Sequence, residues 1–376
     1  MTILDRYVLK KFAVPFLMCF FGFVGIWFIF DLADNLQDFI QGRASAEALL
    51  DYYASQIPEI VVISLPLATL LALLYALAAM SRANEIISML GAGRSILRIV
   101  APLLAAGALL SGIVTYFNYE GAPHATGMKK VIVGDIKRGK KSDKTIRGHL
   151  FRNREESRTW FVARMSIGGG RLEDLQIVQQ NAEGAVVAQW YATRADYDPV
   201  RRSWTLHDAK HIENSPAGEV LKSHMAERIE VVGWSETPWR VASSMLNADF
   251  LSVPELRDYL AYNGDFPEKR LAPYRTQWHY RWALPSVCLL VVFVAAPCGI
   301  VYSRRGVLGG VATAITLFFL LVFTSSLFVA LGKGGRVPPF AAAWGPMIAF
   351  FAAGLAMLWM KTTNRELPKI RIPGLN

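Results

Sequence analysis

The residue types that most often build catalytic or metal sites form no recognisable set in this sequence. It contains no GxxxxGK[ST], HExxH, GxSxG or paired CxxC motif, so nucleotide, zinc-protease, hydrolase and dithiol chemistry lack their usual residues. His207 and His211 lie four residues apart in a strand-like stretch, which separates them by about 13 Å, too far to share one metal. We therefore predict no catalytic residue, no metal site and no cofactor.

One short polar segment carries charges between two long apolar stretches. Residues 82–98 read RANEIISMLGAGRSILR, with helix-compatible spacing up to Gly91, a residue type that can end a helix. Glu85 lies inside this short helix, and Arg82 and Arg94 flank it. Such a helix either rests at a membrane interface or docks into a groove on a partner protein. The residues alone leave both interpretations open.

Six stretches of the chain contain no Asp, Glu, Lys or Arg, and the elements that they form must position the charged segment. They are 19 to 27 residues long, near or above the roughly 20 apolar residues that cross a bilayer core. A soluble helix of that length needs a polar face. The composition, 53% hydrophobic and only 19% charged, agrees with a multi-span membrane protein and argues against a soluble enzyme. The stretches are 12–30, 60–81, 99–119, 282–303, 306–332 and 337–360.

The net charge of +10 is distributed as membrane orientation requires. Segments 1–11, 82–98, 304–305 and 361–376 together carry twelve basic and three acidic residues, whereas the short loops between the other span ends carry three basic and six acidic. Because Lys and Arg are enriched on the cytoplasmic side, we predict cytoplasmic termini and an external central segment. No basic patch remains that would indicate a nucleic-acid partner.

The central segment changes to period-two hydrophobicity, which is typical of strands. Turn residues separate the alternating stretches, so an antiparallel sandwich or jelly roll is expected, followed by a short amphipathic helix over 254–262. The predicted fold class is an α-helical polytopic membrane protein with six transmembrane helices, three on each side of an inserted all-β, jellyroll-like domain. The alternating stretches are 159–165, 175–180, 185–193, 203–212 and 222–232.

The order of short motifs along the chain resembles the LptF/LptG family of lipopolysaccharide-export permeases. The similarity covers nearly the whole chain, and the acidic end of the first span, at Asp31, is more similar to the LptG branch than to the LptF branch. Some LptG members have a basic residue where this chain has Asp31, so a lipid A contact is not transferred to it. The motifs are LDRY at 4–7, LPLA at 65–68, SRANEI at 81–86, GAG at 91–93, EGAP at 120–123, WYAT at 190–193, WTL at 204–206 and VPPF at 337–340.

The resemblance implies partners and a cellular location. It implies a bacterial inner-membrane heterodimer with an LptF-like permease subunit, mounted on a cytoplasmic LptB-like ATPase dimer. Lipopolysaccharide would pass through a periplasmic jellyroll domain to an LptC/LptA-like bridge. The expected domains are 1–119 with a coupling helix at about 82–93, a periplasmic domain with linker helix at 120–275, and 276–376.

The resemblance also implies roles for individual residues. Glu85, Arg82, Arg94 and Gly91 would contact the ATPase. Lys129 and Lys130, just beyond the third span, would bind lipid A phosphates or anchor the chain at the interface. Arg275, Arg281 and Arg336 are further candidates for either role.

Apolar residues of the first and fifth spans are candidates to line an acyl-chain cavity, although any lipid-facing span needs the same residue types. They are Phe23, Trp27, Phe30, Phe319, Phe323 and Leu327. In the β domain, Phe161, Val186 and Trp190 are expected to face inward and accept acyl chains.

Two other functions fit the same topology. The chain would then be a permease of another ATP-driven envelope lipid or lipoprotein exporter, or a membrane scaffold that uses its β domain to bind envelope proteins. Such other permeases usually place the large domain after the first of four spans, whereas here it follows the third.

Overall fold

The computed structural model describes most of the chain. The described residues are 2–123, 125, 129, 133, 145–153, 156–166, 171–181, 183–198, 201–215, 218–242, 247–264, 266–300 and 307–363. They divide into two compact units, one of which comprises Met1–Lys129, Ser252–Pro254 and Glu268–Asn376 and the other Lys130–Leu251 and Glu255–Pro267. We call them the helical unit and the β unit.

The helical unit begins with four helices. They are α1 (Ile3–Gln41), α2 (Ala46–Arg82), α3 (Glu85–Gly91) and α4 (Ile96–Tyr119). Thr2 and Asp5 form a reciprocal capping box that starts α1. The most apolar stretch of α2 is largely buried, whereas that of α1 is almost entirely exposed. Within this unit, α2 therefore supplies much of the core and α1 lies at its edge.

Four more helices of this unit lie in the described part of the chain after the β unit. They are α7 (Glu268–Ala283), α8 (Ser286–Gly299), α9 (Val307–Lys333) and α10 (Pro339–Thr362). The pair α7 and α8 bends by 56° next to Pro285, whose ring removes a backbone donor. Among the described residues, five helices have membrane length, and the bent pair makes a sixth candidate span. The polytopic helical prediction is confirmed.

The fourth predicted span covers only part of this bent pair. The charge-free run 282–303 begins near the end of α7, but the helix itself starts at Glu268. Arg281 directly precedes the run, and its guanidinium Nη1 donates to the Asn118 side chain of α4 at 3.1 Å. A charged residue does not end its own helix when a side chain of a neighbouring helix pairs with it. Counting charges therefore placed the start of the fourth span too late.

The core of the helical unit forms where α2, α4 and α8 meet. Leu73, Leu77, Ile99 and Cys288 are fully buried there. Gly354 of α10 lies so close to Phe293 of α8 that an added Cβ would meet the Phe293 backbone at 3.0–3.1 Å. Close helix approach of this kind depends on small residues.

The β unit contains one six-stranded antiparallel sheet in which each strand pairs with the next along the chain. All five predicted strand stretches are confirmed, and β1 is an additional strand. The strands are β1 (Thr145–Asn153), β2 (Arg158–Ser166), β3 (Arg171–Gln180), β4 (Val186–Asp198), β5 (Ser203–Asn214) and β6 (Val220–Val232). Helices α5 (Pro238–Ala242) and α6 (Val253–Tyr262) follow, and α6 confirms the predicted short helix.

One face of the sheet is buried under aromatic side chains. The rings of Trp160 and Trp204 lie 5.2 Å apart, and Trp234 packs edge-on against Trp160 and Trp190. The buried Glu236 carboxylate accepts a hydrogen bond from Arg158 at 2.7 Å. This ion pair and the aromatic cluster attach the segment after β6 to the sheet.

Candidate functional site

The short helix α3 is present between α2 and α4, as the sequence predicts. Asn84 takes a left-handed conformation with φ 59° and turns the chain sharply from α2 into α3. Ile86 is fully buried in the helical core, whereas Ile87, Arg82 and Arg94 are exposed. The helix is therefore attached through Ile86 and presents a mixed apolar and basic face to its surroundings.

Glu85 faces α1. Its Oε1 lies 3.6 Å from the Lys11 ammonium. Its other oxygen, Oε2, is buried without a hydrogen-bond partner among the described residues. A buried, unpaired carboxylate oxygen costs free energy, so the carboxylate is under-satisfied in this state. Gly91, the last residue of α3, is exposed and has open space where a Cβ would stand.

Lys129 is held by a carboxylate of the helical unit. Its ammonium lies 2.5 Å from Asp31 Oδ1 and 5.7 Å from the centre of the Trp27 ring. Asp31 is almost fully buried and also accepts hydrogen bonds from the Tyr52 hydroxyl at 2.9 and 3.1 Å. The sequence analysis assigns no lipid contact to Asp31, and it does not predict the pairing of Asp31 with Lys129. Lys130 lies outside the described residues.

The three candidate arginines lie in different surroundings. Both Glu268 oxygens accept from Arg275 Nη1 at 2.7 Å within α7. Arg281 contacts Asn118 of α4, while Arg336 is exposed in the turn between α9 and α10. Of the three, only Arg336 is exposed without a side-chain partner among the described residues.

Four of the six apolar candidates on α1 and α9 are exposed. Phe23 and Trp27 are half-buried, and both helices pack against α2. These faces are available to lipid, to acyl chains or to a second subunit. The exposed fractions are 67% for Phe30, 60% for Phe319, 63% for Phe323 and 45% for Leu327.

The open face of the sheet carries a groove of about 740 Å³. Its floor is a transverse row of directly paired residues, one from each strand, and Phe161 belongs to it. Trp190 lies on the opposite, buried face, so the expectation that Phe161 and Trp190 share a face is wrong. Val186, at the start of β4, is half-buried. The row is Leu150, Phe161, Gln176, Tyr191, Lys210 and Met225.

The two histidines of the β unit have separate partners. His207 Nε2 lies 3.1 Å from Asp196, and the His211 ring stacks on Trp190. No group of three or more metal-ligating side chains is found in the part of the chain that the structure describes. Neither histidine takes part in a metal constellation there.

Together, the membrane-length helices, the bent pair and the inserted antiparallel sheet define a polytopic helical membrane protein with a separate β unit. The model of the family described as "Lipopolysaccharide export system permease LptF/LptG" matches residues 6–360. Because that match includes nearly all of both units, the chain belongs to the LptF/LptG family. Its members are transporter permease subunits and multi-pass proteins of the inner membrane.

Curated relatives agree with this assignment. The chain is similar to the lipopolysaccharide export system permease protein LptG of Escherichia coli strain K12, with 22% identity over 368 residues. The alignment covers 96% of this chain and 99% of the relative. LptG of E. coli O6:H1 gives the same values. Both relatives are LptG proteins, which agrees with the similarity of the first span to that branch.

Proposed function

We propose that this chain is the permease subunit of an ATP-driven exporter that extracts lipopolysaccharide from the inner membrane. The family match over residues 6–360 carries the proposal, because it includes the membrane helices and the β unit in one alignment. The sequence has no Walker A motif. ATP hydrolysis is therefore assigned to a separate, dimeric, LptB-like subunit on the cytoplasmic side, where the basic termini and α3 would lie.

The exposed apolar faces of α1 and α9 support pairing with an LptF-like subunit. Six membrane crossings are few for a pathway that admits a large lipid, and a second permease subunit would complete its wall. Phe30 on α1 and Phe319, Phe323 and Leu327 on α9 would then face a cavity between the subunits, where acyl chains replace bilayer lipid at little cost.

We assign α3 to ATPase coupling. An amphipathic helix docks into a groove through apolar anchors and flanking charges. Ile87, Arg82 and Arg94 supply these on the exposed side, and Gly91 leaves room for close approach. Glu85 contacts Lys11 of α1, so a movement of α3 would change an ion pair with a helix that lines the proposed cavity.

We favour Lys129 as the residue that binds phosphate, and Asp31 competes with the phosphate for the Lys129 ammonium. A lysine binds phosphate as a point charge, but Asp31 occupies that charge at 2.5 Å in this state. A lipid A phosphate must therefore displace the carboxylate or add to the exposed side of the ammonium. Lys130, Arg275, Arg281 and Arg336 remain candidates for secondary phosphate contacts or for interfacial anchoring.

The open groove of the β unit is the proposed acyl-chain acceptor. Leu150, Phe161, Tyr191 and Met225 give its floor an apolar surface, and Gln176 and Lys210 add polar groups within the same row. In this proposal the β unit, whose described strands form one up-and-down sheet, takes the place of the family's periplasmic jellyroll domain and passes lipid to an LptC/LptA-like bridge protein.

Reconstitution tests the proposal. The full-length chain, assembled in proteoliposomes with its partner permease and ATPase, should hydrolyse ATP faster when lipopolysaccharide is present. A lipoprotein of comparable acyl-chain content should leave the rate unchanged. Stimulation by the lipoprotein but not by lipopolysaccharide would favour the alternative exporter. If no ATPase co-purifies with the chain before reconstitution, the membrane scaffold is favoured instead.

A further inference from the structure

A second groove lies between α1 and α2, at the end of the helical unit that carries α3. Its volume is about 460 Å³. Its lining combines two lysines and two tyrosines with aliphatic residues. None of these residues belongs to the proposed lipopolysaccharide sites. The residues that matter here are Tyr7, Lys10, Lys11, Val14, Tyr75 and Ala79.

The two lysines of the groove lie where an apolar surface begins. Lys10 is exposed and forms no ion pair with another described residue. Lys11 lies 5.3 Å from the Tyr7 ring centre and keeps 41% of its side chain exposed. The charge-free run of α1 starts at the next residue, and Val14 and Tyr75 remain exposed. Two cations thus border a groove that continues along apolar residues.

We propose that this groove binds an anionic glycerophospholipid of the bilayer. Lysines at the end of a membrane helix attract anionic headgroups, and basic pockets between membrane helices bind them specifically. The phosphate would contact Lys10 and Lys11, the Tyr7 hydroxyl would lie beside the headgroup, and one acyl chain would follow Val14 and Ala79. The orientation proposed above makes this the cytoplasmic leaflet, but the binding itself does not depend on that orientation.

The site is connected to α3 through Lys11. The same ammonium lies 3.6 Å from Glu85 Oε1, so a bound phosphate and Glu85 compete for one cation. Occupation of the groove would weaken the contact between α1 and α3. The lipid composition of the membrane would then influence the element that we assign to ATPase coupling.

Native mass spectrometry of the full-length protein, purified in detergent with its co-purifying subunits, tests this site directly. Phosphatidylglycerol and phosphatidylcholine with identical chains are added in separate titrations, without lipopolysaccharide. We expect preferential retention of phosphatidylglycerol. Lys10→Gln and Lys11→Gln should each weaken it by about fivefold, the factor expected for one lysine beside an anionic headgroup. Ala79→Trp, which fills the groove without changing charge, should also weaken it.

Matched controls separate a lipid site from general attraction. Lys333→Gln removes one positive charge at the end of α9, outside the groove, and should leave retention unchanged; Lys10→Arg should preserve it. Equal retention of both lipids, or normal phosphatidylglycerol retention by the Lys10→Gln/Lys11→Gln double variant, would overturn the proposal. Glycerol 3-phosphate that binds as tightly as the lipid would replace it with a simple anion site. Because lipopolysaccharide is absent, failure here would not contradict the proposed export function.

Discussion

Two carboxylates each hold a lysine and connect α1 to other segments. Asp31, directly after the apolar run of α1, holds Lys129, and Glu85 of α3 contacts Lys11, directly before that run. Between these points the apolar surface of α1 is largely exposed. At the scale of single residues, polar contacts therefore attach α1 at both ends of its apolar run, which are also the places where we assign lipid binding and ATPase coupling.

Reversing the charge of Glu85 should uncouple the ATPase. Glu85→Lys places a second cation beside Lys11 and removes the only acidic residue of α3. We expect lipopolysaccharide-stimulated ATP hydrolysis to fall by at least about fivefold, the low end of typical coupling between sites, while membrane insertion stays normal.

Glu85→Gln is the matched variant, since it keeps the size of the side chain without its charge. It should lie between the wild type and Glu85→Lys. Unchanged lipopolysaccharide-stimulated hydrolysis by Glu85→Lys would refute the role of this residue.

Removing the Asp31 carboxylate should release Lys129 for phosphate. We expect Asp31→Asn to strengthen lipopolysaccharide binding by about fivefold, because one lysine charge near an anionic surface has about that effect. Equilibrium binding to the reconstituted complex measures it.

A double-mutant cycle gives the decisive control for that prediction. In the Lys129→Gln background, Asp31→Asn should no longer change the affinity. If Asp31→Asn strengthens binding equally with and without Lys129, the phosphate acts elsewhere and Lys129 is an anchor.

The sequence singled out Glu85 and Lys129 as candidates, but it did not predict the side chains that they contact. Asp31 and Lys129 are 98 residues apart, and local spacing carries no information about which distant side chain a lysine will meet. An acidic residue at the edge of an apolar run was the available signal, because a carboxylate buried at a span end needs a partner.

At the scale of elements, apolar runs predicted the existence of the spans better than their ends. The run 282–303 located α8 but neither the earlier start of α7 nor the bend at Pro285. Strand β1 was missed because its period-two pattern is interrupted. Gly148 has a positive φ of 65° and is not paired, although the register between Arg147 and His149 on either side of it is unchanged.

Two glycines of α10 should differ sharply in their tolerance of a methyl group. Gly354→Ala drives a Cβ against the Phe293 backbone, which cannot rotate away as a side chain can. Overpacking of this kind should lower the free energy of unfolding by about 1–3 kcal/mol. Thermal or denaturant unfolding of the purified protein in detergent measures the change.

Gly345→Ala is the control in the same helix, because no atom lies within 4 Å of its added Cβ. It should leave stability unchanged or raise it slightly. Equal destabilisation by both variants would mean that α8 and α10 do not approach closely at Gly354.

At the scale of the whole molecule, the order of segments along the chain could be predicted in full. Three apolar runs, a β segment and three more runs are set by composition and periodicity, which do not depend on distant contacts. The face of the sheet that we propose as the acyl-chain acceptor could not be predicted. Alternation shows only that neighbouring residues point to opposite faces, and the Trp cluster that closes one face involves Trp234, which follows the last strand.

The two faces of the sheet should respond differently to lipopolysaccharide. A photo-crosslinking residue at position 161 should capture it during ATP-driven transport, since Phe161 lines the open groove. The same residue at position 190 should capture little, because Trp190 lies in the buried face. Stronger capture at 190 than at 161 would place the acyl chains in the aromatic core instead.

Depletion of this protein in growing cells tests the central claim most directly. Newly made lipopolysaccharide is labelled during depletion, and the inner and outer membranes are separated. If the chain is a lipopolysaccharide export permease, the label should accumulate in the inner membrane and its arrival in the outer membrane should fall in step with the protein. Normal arrival of labelled lipopolysaccharide in the outer membrane after depletion would contradict the account.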